Sequence, residues 1–252
     1  MFQENKWGMG IECLCHMIRT VIFDIDGTLV DSVDAHAMAW QESFKYFGKD
    51  IPFEEVRAQI GKGGDQLLPV FFSKLELEAY GEELSDFRKQ HFRHNYLPNL
   101  KAFPQVRDLL ERVRADGKQI IIASSSNEED LKSLKHIAGI DDLVDETISA
   151  DDADASKPEP DIFIAAIKKA DTKHKSEIIT VGDSPYDAMA AKDAGIPIIG
   201  VLSGGFLEID LRAQGCIEIY RDPADLLSRY NTSLLATRMD LGRELDRGHL
   251  RP

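Results

Sequence analysis

The sequence is poor in cysteine, in positive charge and in long apolar runs, and each shortage argues against a class of protein. Cys13, Cys15 and Cys216 are odd in number and form no CxxC pair. That speaks against a disulfide framework and for a reducing, cytoplasmic compartment. Cys13, Cys15 and His16 stand together like part of a metal knuckle, but no second Cys/His pair lies near at zinc-site spacing. No apolar run approaches the length of a membrane span, and residues 1–16 lack the basic start and apolar core of a signal peptide. Against 44 Asp and Glu stand 30 Lys and Arg, a net charge of −14. Nucleic-acid phosphates demand a Lys/Arg footprint, so no nucleic-acid partner is expected. Small phosphate esters stay open, because local cations or a bound metal override the global field.

What is present is ordinary in bulk and specific in detail. A chain of 252 residues with 43% hydrophobic and 29% charged residues can bury one large core, or a core and a small satellite. Residues 1–16 are read as an extension ahead of the fold and disordered. A β-branched and aromatic run, Val21-Ile22-Phe23, predicts a buried strand. Helical spacing follows over 33–48, 53–60, 65–77 and 82–96, with no alternating segment among them. From 104 onward helices and strands alternate. Helices are predicted over 104–116, 127–138, 160–170, 185–194 and 207–213, and strands over 118–123, 178–182, 198–202 and 217–220. Gly117 and Gly139 stop two of the helices, and Asn127 caps one. Repeated βα units imply right-handed crossovers and an α/β, doubly wound parallel sheet. The segment 229–252 is charged, with one candidate helix over 234–245.

In such sheets ligands sit beyond the carboxyl ends of the strands. The first strand ends in Asp24-Ile25-Asp26-Gly27-Thr28-Leu29-Val30-Asp31-Ser32. Two carboxylates there suit a hard, oxygen-loving cation such as Mg²⁺. Gly27 permits a sharp turn that brings backbone N–H groups close to whatever the carboxylates hold. The next strand ends at Ser124-Ser125-Ser126-Asn127, before a helix. A later one ends at Gly182-Asp183-Ser184-Pro185-Tyr186-Asp187. Between them Ser156-Lys157-Pro158-Glu159-Pro160-Asp161 opens a helix. Carboxylates, a hydroxyl cluster and a lysine thus converge on one rim, a set suited to phosphoryl transfer. Each has a plainer reading. The aspartates could cap turns, any of Ser124–Asn127 could cap the helix, Lys157 could be a solvated charge, and Asp187 could favour a helix dipole.

The string DxDGTLxDS, the serine cluster, SKPxPDIF and GDxxxD occur in the order of the four motifs of the haloacid dehalogenase superfamily of phosphohydrolases, and the chain resembles that family over roughly 18–228. The resemblance implies a Rossmann-like core over 17–32 and 101–228 and an inserted α-helical cap over 33–100. That insertion resembles the phosphoglycolate phosphatase and β-phosphoglucomutase branch. It also implies roles. Asp24 matches the nucleophile that forms an aspartyl phosphate, and Asp26 the general acid/base. Ser124 matches the hydroxyl that holds the phosphoryl group, and Lys157 the lysine that offsets its charge. Asp183 matches a direct Mg²⁺ ligand, completing a site with Asp24 and the backbone carbonyl of Asp26. Asp187 matches the last acid of the set, a ligand or a partner of the ligands.

Substrate contacts are expected from Gly27, Thr28 and Ser125, and from Lys62 in the cap turn Ile60-Gly61-Lys62-Gly63-Gly64-Asp65. Lys62 would meet a second phosphate or a carboxylate, unless it is a solvated turn lysine. His36 and Trp40 could face the site, although a Trp at helical spacing is more often core. The expected function is Mg²⁺-dependent hydrolysis of a small phosphorylated metabolite by a monomer, with a dimer left open. Two alternatives are a hexose-phosphate mutase of the same branch and a phosphonatase, which would need a cap lysine as Schiff base. Thr28, where the mutases tend to have valine, the Gly182–Asp187 motif, and the lack of arginine in the Gly61–Asp65 turn favour the phosphatase, whereas His36 and Trp40 sit where the mutases also carry His and Trp. A non-catalytic binding protein is disfavoured, since all four of Asp24, Asp26, Lys157 and Asp183 are present.

Overall fold

The computed structural model describes residues 17–236. The expectations for residues 1–16 and for a helix over 234–245 fall wholly or mostly outside that range. Six parallel strands form one sheet: β1 (Thr20–Phe23), β2 (Gln119–Ala123), β3 (Glu146–Ile148), β4 (Ile178–Gly182), β5 (Ile198–Val201) and β6 (Glu218–Tyr220). Their spatial order is β3-β2-β1-β4-β5-β6, with Thr20 opposite Gln119 on one side and Ile178 on the other. The fold is therefore the doubly wound α/β core expected from the alternating pattern. The order reverses between β1 and β4, and that switch point opens a crevice beyond the strand ends.

Both sheet faces are covered, which is why the central strands read as continuous apolar runs. Val21 and Phe23 of β1 join one apolar cluster and Ile22 joins the other, as alternation requires. The first face packs against α5 (Val106–Ala115), α6 (Glu128–Ala138) and α10 (Pro223–Ser228). The second packs against α7 (Asp161–Lys169), α8 (Pro185–Ala194) and α9 (Glu208–Gln214). Between β1 and α5 lie four helices: α1 (Val33–Tyr46), α2 (Phe53–Arg57), α3 (Gly64–Phe71) and α4 (Lys74–Asn95). They bury their own cluster around Phe44, Val56, Leu67 and Leu84.

Several element boundaries differ from the sequence reading. The helices expected over 65–77 and 82–96 are α3 and a single 22-residue α4. Its start is set by a capping box in which Ser73 and Glu76 satisfy each other's backbone N–H. Gly81 sits inside that helix, buried against Leu77; an interior glycine costs only about 1 kcal/mol, so packing overrides it. Helix α5 begins at Val106, two residues after the expected start. Strand β3, three residues at the sheet edge, is too short for periodicity to reveal. Helix α10 was also missed, although Asp222 accepts from the Asp225 N–H and Pro223 occupies its first turn.

Candidate active site

Asp24 follows β1 and Asp183 follows β4, the two strands that flank the switch point. Side-chain oxygens of Asp24, Asp183 and Asp187 lie within 4.8 Å of one another, all buried. Lys157 reaches the same point from the segment before α7. Its Nζ donates to Asp24 Oδ1 at 2.6 Å and to the Ala123 carbonyl at 3.0 Å, and pairs with Asp187 Oδ1 at 2.8 Å. At 1% exposed, Lys157 is no surface charge. Asp187 makes two sets of contacts. Its Oδ2 accepts from the Ser184 hydroxyl and N–H, closing the capping box of α8, while Oδ1 faces Lys157.

Three buried carboxylates share one ammonium, and the imbalance is felt. Burial, with Asp187 and Asp26 nearby, pushes Asp24 up to about 7 against the pull of Lys157. Burial likewise raises Asp183 well above the carboxylate range. Lys157 is held protonated despite its burial by Asp187 and Asp24. A compact set of hard oxygen ligands that lacks positive charge fits a divalent cation such as Mg²⁺. The space around it is kept clear: a Cβ on Gly204 would lie 1.7 Å from Asp183 Oδ2.

Asp26 points elsewhere. Its Oδ1 accepts from the Ser32 hydroxyl at 2.6 Å and meets His36 Nε2 at 2.8 Å. Its Oδ2 accepts from the Ser126 hydroxyl at 2.9 Å, with the Ser124 hydroxyl 3.5 Å away. Burial would raise this carboxyl, but His36 and the Ser32 and Ser126 hydroxyls hold it well below its ordinary value. Its side chain thus stands outside the three-carboxylate cluster, leaving only its backbone carbonyl for the ligand role assigned above. Ser124 is 1% exposed, and its Oγ accepts from the Ser126 N–H at 3.0 Å. Ser125 Oγ is buried without a partner among the described residues.

Gly27 and Thr28, which follow Asp26, both lie against Asp183. Gly27 adopts φ 77°, and a Cβ there would lie 2.4 Å from Asp183 Oδ2, so the turn requires glycine. The Thr28 side chain is fully buried, with Oγ1 3.0 Å from both Asp24 Oδ2 and Asp183 Oδ1. Its hydroxyl is spent on the carboxylates, which leaves only its backbone to meet a substrate.

Above this set lies a cavity of about 610 Å³ between the helical block and the strand ends, lined by Asp24, Asp26, Ser124, Ser125 and Lys62 among others. Its roof descends where the glycine-rich turn approaches the core. A Cβ on Gly63 would lie 2.2 Å from Ser156 Oγ, and Asp65 Oδ2 accepts from the Ser156 N–H at 3.1 Å. Lys62 Nζ donates to Gln59 Oε1 and stands 4.8 Å over the Tyr186 ring. Trp40 is 6% exposed within the helical cluster, yet one face borders the cavity. Sequence reasoning missed Ser126 as a partner of Asp26; its only signal was membership of the serine cluster. It also missed Arg88 and Arg93, which no motif marks.

Fold and site together define an α/β enzyme with an acidic, cation-seeking centre at its switch point and a helical roof. The family model for haloacid dehalogenase-like hydrolases matches residues 18–195. A phosphoglycolate phosphatase of Yersinia pestis is 32% identical over 192 residues, covering 74% of this chain and 82% of that protein. One from Nitrosospira multiformis is 30% identical over 195 residues, covering 74% and 84%. A crystal structure of a hydrolase from Pseudomonas syringae superposes with a TM-score of 0.78 at 28% identity, covering 85% of this chain and 98% of that one. The chain belongs to the haloacid dehalogenase-like hydrolases and is a phosphatase-type enzyme. Among the described residues no helix is long and apolar enough to cross a membrane.

Proposed function

We propose that the chain is a Mg²⁺-dependent phosphatase that hydrolyses a small phosphorylated metabolite through an aspartyl-phosphate intermediate. The observation that carries this reading is Asp24 Oδ1 gripped by Lys157 at 2.6 Å, beside carboxylate oxygens of Asp183 and Asp187. Residues 17–32 and 101–228 act as the catalytic core and 33–100 as a cap that sets leaving-group contacts. The phosphatase names of the relatives support the reaction class.

In the first step an Asp24 oxygen bonds to phosphorus and the bond from phosphorus to the leaving oxygen breaks. Asp26, ionised at rest, takes up a proton brought by the bound ester or by solvent and passes it to the leaving alcohol as that bond breaks. In the second step Asp26 takes a proton from water as it attacks the acyl phosphate, releasing Asp24 and inorganic phosphate. Ser124 and the N–H groups that open α6 hold the phosphoryl oxygens, while Lys157 offsets their charge. Asp24, Asp183 and Asp187, with the Asp26 carbonyl, would hold Mg²⁺, whose charge relieves repulsion between a phosphate dianion and the nucleophile.

The test is phosphate release across a panel of phosphometabolites, with chelator and with Mg²⁺ restored. Release is expected only with the metal. Asp24→Asn is expected to fold normally and to retain less than about a thousandth of the wild-type rate. Undiminished release from that variant, or release unaffected by chelation, would refute the mechanism. Turnover without free phosphate would point instead to transfer back to a substrate.

A further inference from the structure

The cavity holds a cation for which the hydrolytic chemistry has no use. Arg88 projects from α4, and its guanidinium carbon lies 4.8 Å over the Trp40 ring and 5.0 Å over the Phe92 ring. These two rings fix it in place. Three other cations near the site have carboxylate partners: Lys157 with Asp24 and Asp187, Arg93 with Glu129 and Asp130, Arg57 with Asp34. Among the described residues Arg88 has none within ion-pair distance. Its hydrogen bond goes to Nδ1 of His36, and its Nε is buried without a partner among those residues. A guanidinium has five donors and no acceptor, so most of its capacity is unspent. Burial without a counter-charge is costly. It pulls Arg88 down to about 10 against the pull of Asp130 and Asp26, which leaves the guanidinium charged at neutral pH.

The position of Arg88 is as informative as its charge. Arginine only donates, so His36 Nδ1 accepts, and His36 Nε2–H donates to Asp26 Oδ1 at 2.8 Å. Arg88 is thus one imidazole ring away from the group that protonates the leaving oxygen. The alcohol part of the substrate must occupy that end of the cavity. Lys62, the other cap cation discussed above, also borders the cavity without a carboxylate partner among the described residues.

We propose that Arg88 determines specificity by binding an anionic group on the leaving alcohol, so that the preferred substrates are phosphate monoesters whose alcohol part carries a carboxylate or a second phosphate. Both anions present the paired oxygens that a guanidinium fork binds. This assignment rests on the phosphatase reading above.

Three esters built on one two-carbon frame test it: 2-hydroxyethyl phosphate, phosphoglycolate and ethylene glycol bisphosphate. With Mg²⁺ present, wild-type kcat/KM is expected to favour at least one of the charged esters over the neutral one by roughly 10- to 100-fold, the range of a hydrogen bond to a charged group. Which charged ester leads identifies the anion. Arg88→Gln is expected to bring the ratio close to one through loss on the charged esters, and Arg88→Lys to recover part of it. Absence of a wild-type preference overturns the assignment, and this measurement needs no variant to fold. So does an Arg88→Gln protein that loses the same factor on all three esters. Phosphate release without selectivity overturns only the role of Arg88. No release from these esters or from the wider panel overturns the phosphatase reading, and the assignment falls with it.

Discussion

At the scale of single residues, the site is built on a shortage of positive charge. Asp24 is held at about 7 against an ordinary 3.8 because it is buried beside other carboxylates. The sign of the effect follows from linkage. Below about pH 4 the carboxyl is protonated folded or unfolded and costs nothing; as pH rises toward 7 its ionisation increasingly disfavours the folded, metal-free chain. Mg²⁺, held by these carboxylates as proposed, would bind their ionised forms and remove that penalty. The rise in Tm on adding Mg²⁺ is therefore expected to be larger at about pH 8 than at about pH 5.5 by calorimetry; equal rises at both would contradict it. A second residue-scale prediction concerns Gly204, where a methyl group would lie 1.7 Å from Asp183 Oδ2. Gly204→Ala is expected to cost about 1–3 kcal/mol in urea denaturation and, by displacing Asp183, to weaken the Mg²⁺ binding proposed above.

At the scale of elements, helix α4 is tied to the loop that would cradle phosphate. Arg93, near its end, donates to Asp130 Oδ1 at 2.5 Å and to Asn127 Oδ1 at 3.0 Å. Asn127 is the N-cap of α6, and Asp130 is only 2% exposed. Removing one partner leaves a buried charge alone, so the pair should show strong coupling. A double-mutant cycle with Arg93→Ala and Asp130→Asn, read by denaturation, is expected to give about 1–3 kcal/mol. Additive effects would show that α4 and α6 do not brace each other. None of this was legible in the sequence, because Arg93 and Asp130 lie 37 positions apart on helices with no shared motif. The element types themselves were largely legible. Amphipathic spacing and caps marked most helices, whereas the split of α3 from α4 depended on which turn the Ser73 capping box favoured over an interior glycine.

At the scale of the whole molecule, packing of the core continues past the last helix. Tyr230 and Leu235 are 2% and 0% exposed and join the cluster under the first face of the sheet. Tyr230 also donates its hydroxyl to Asp116 at 3.1 Å. A chain ending at residue 228 is therefore expected to lose about 3–5 kcal/mol, as for deletion of a large buried aromatic; an unchanged denaturation midpoint would contradict it. The helical block is seated over the site by polar contacts and by Leu97 and Leu100, which pack against both its Ala35, Ala39 and Phe92 cluster and the core. Arg57 donates to the Gly204 carbonyl at 3.0 Å, and Tyr186 donates its hydroxyl to the Ala58 carbonyl at 2.6 Å.

The sequence by itself determined the sheet apart from its edge strand β3, the side of it on which ligands gather and the residues grouped around Asp24. Strand runs, glycine turns and carboxylates at strand ends are local signals, set by backbone sterics and by a side-chain repeat of two. Only the tertiary structure decided that the Asp26 side chain turns away from the carboxylate cluster toward His36 and Ser126. It alone decided that Thr28 braces two carboxylates and that Arg88 enters the cavity with no carboxylate at ion-pair distance among the described residues. Those outcomes depend on which distant side chains share a small volume, and the balance of burial against charge there exists only once the chain has closed around it.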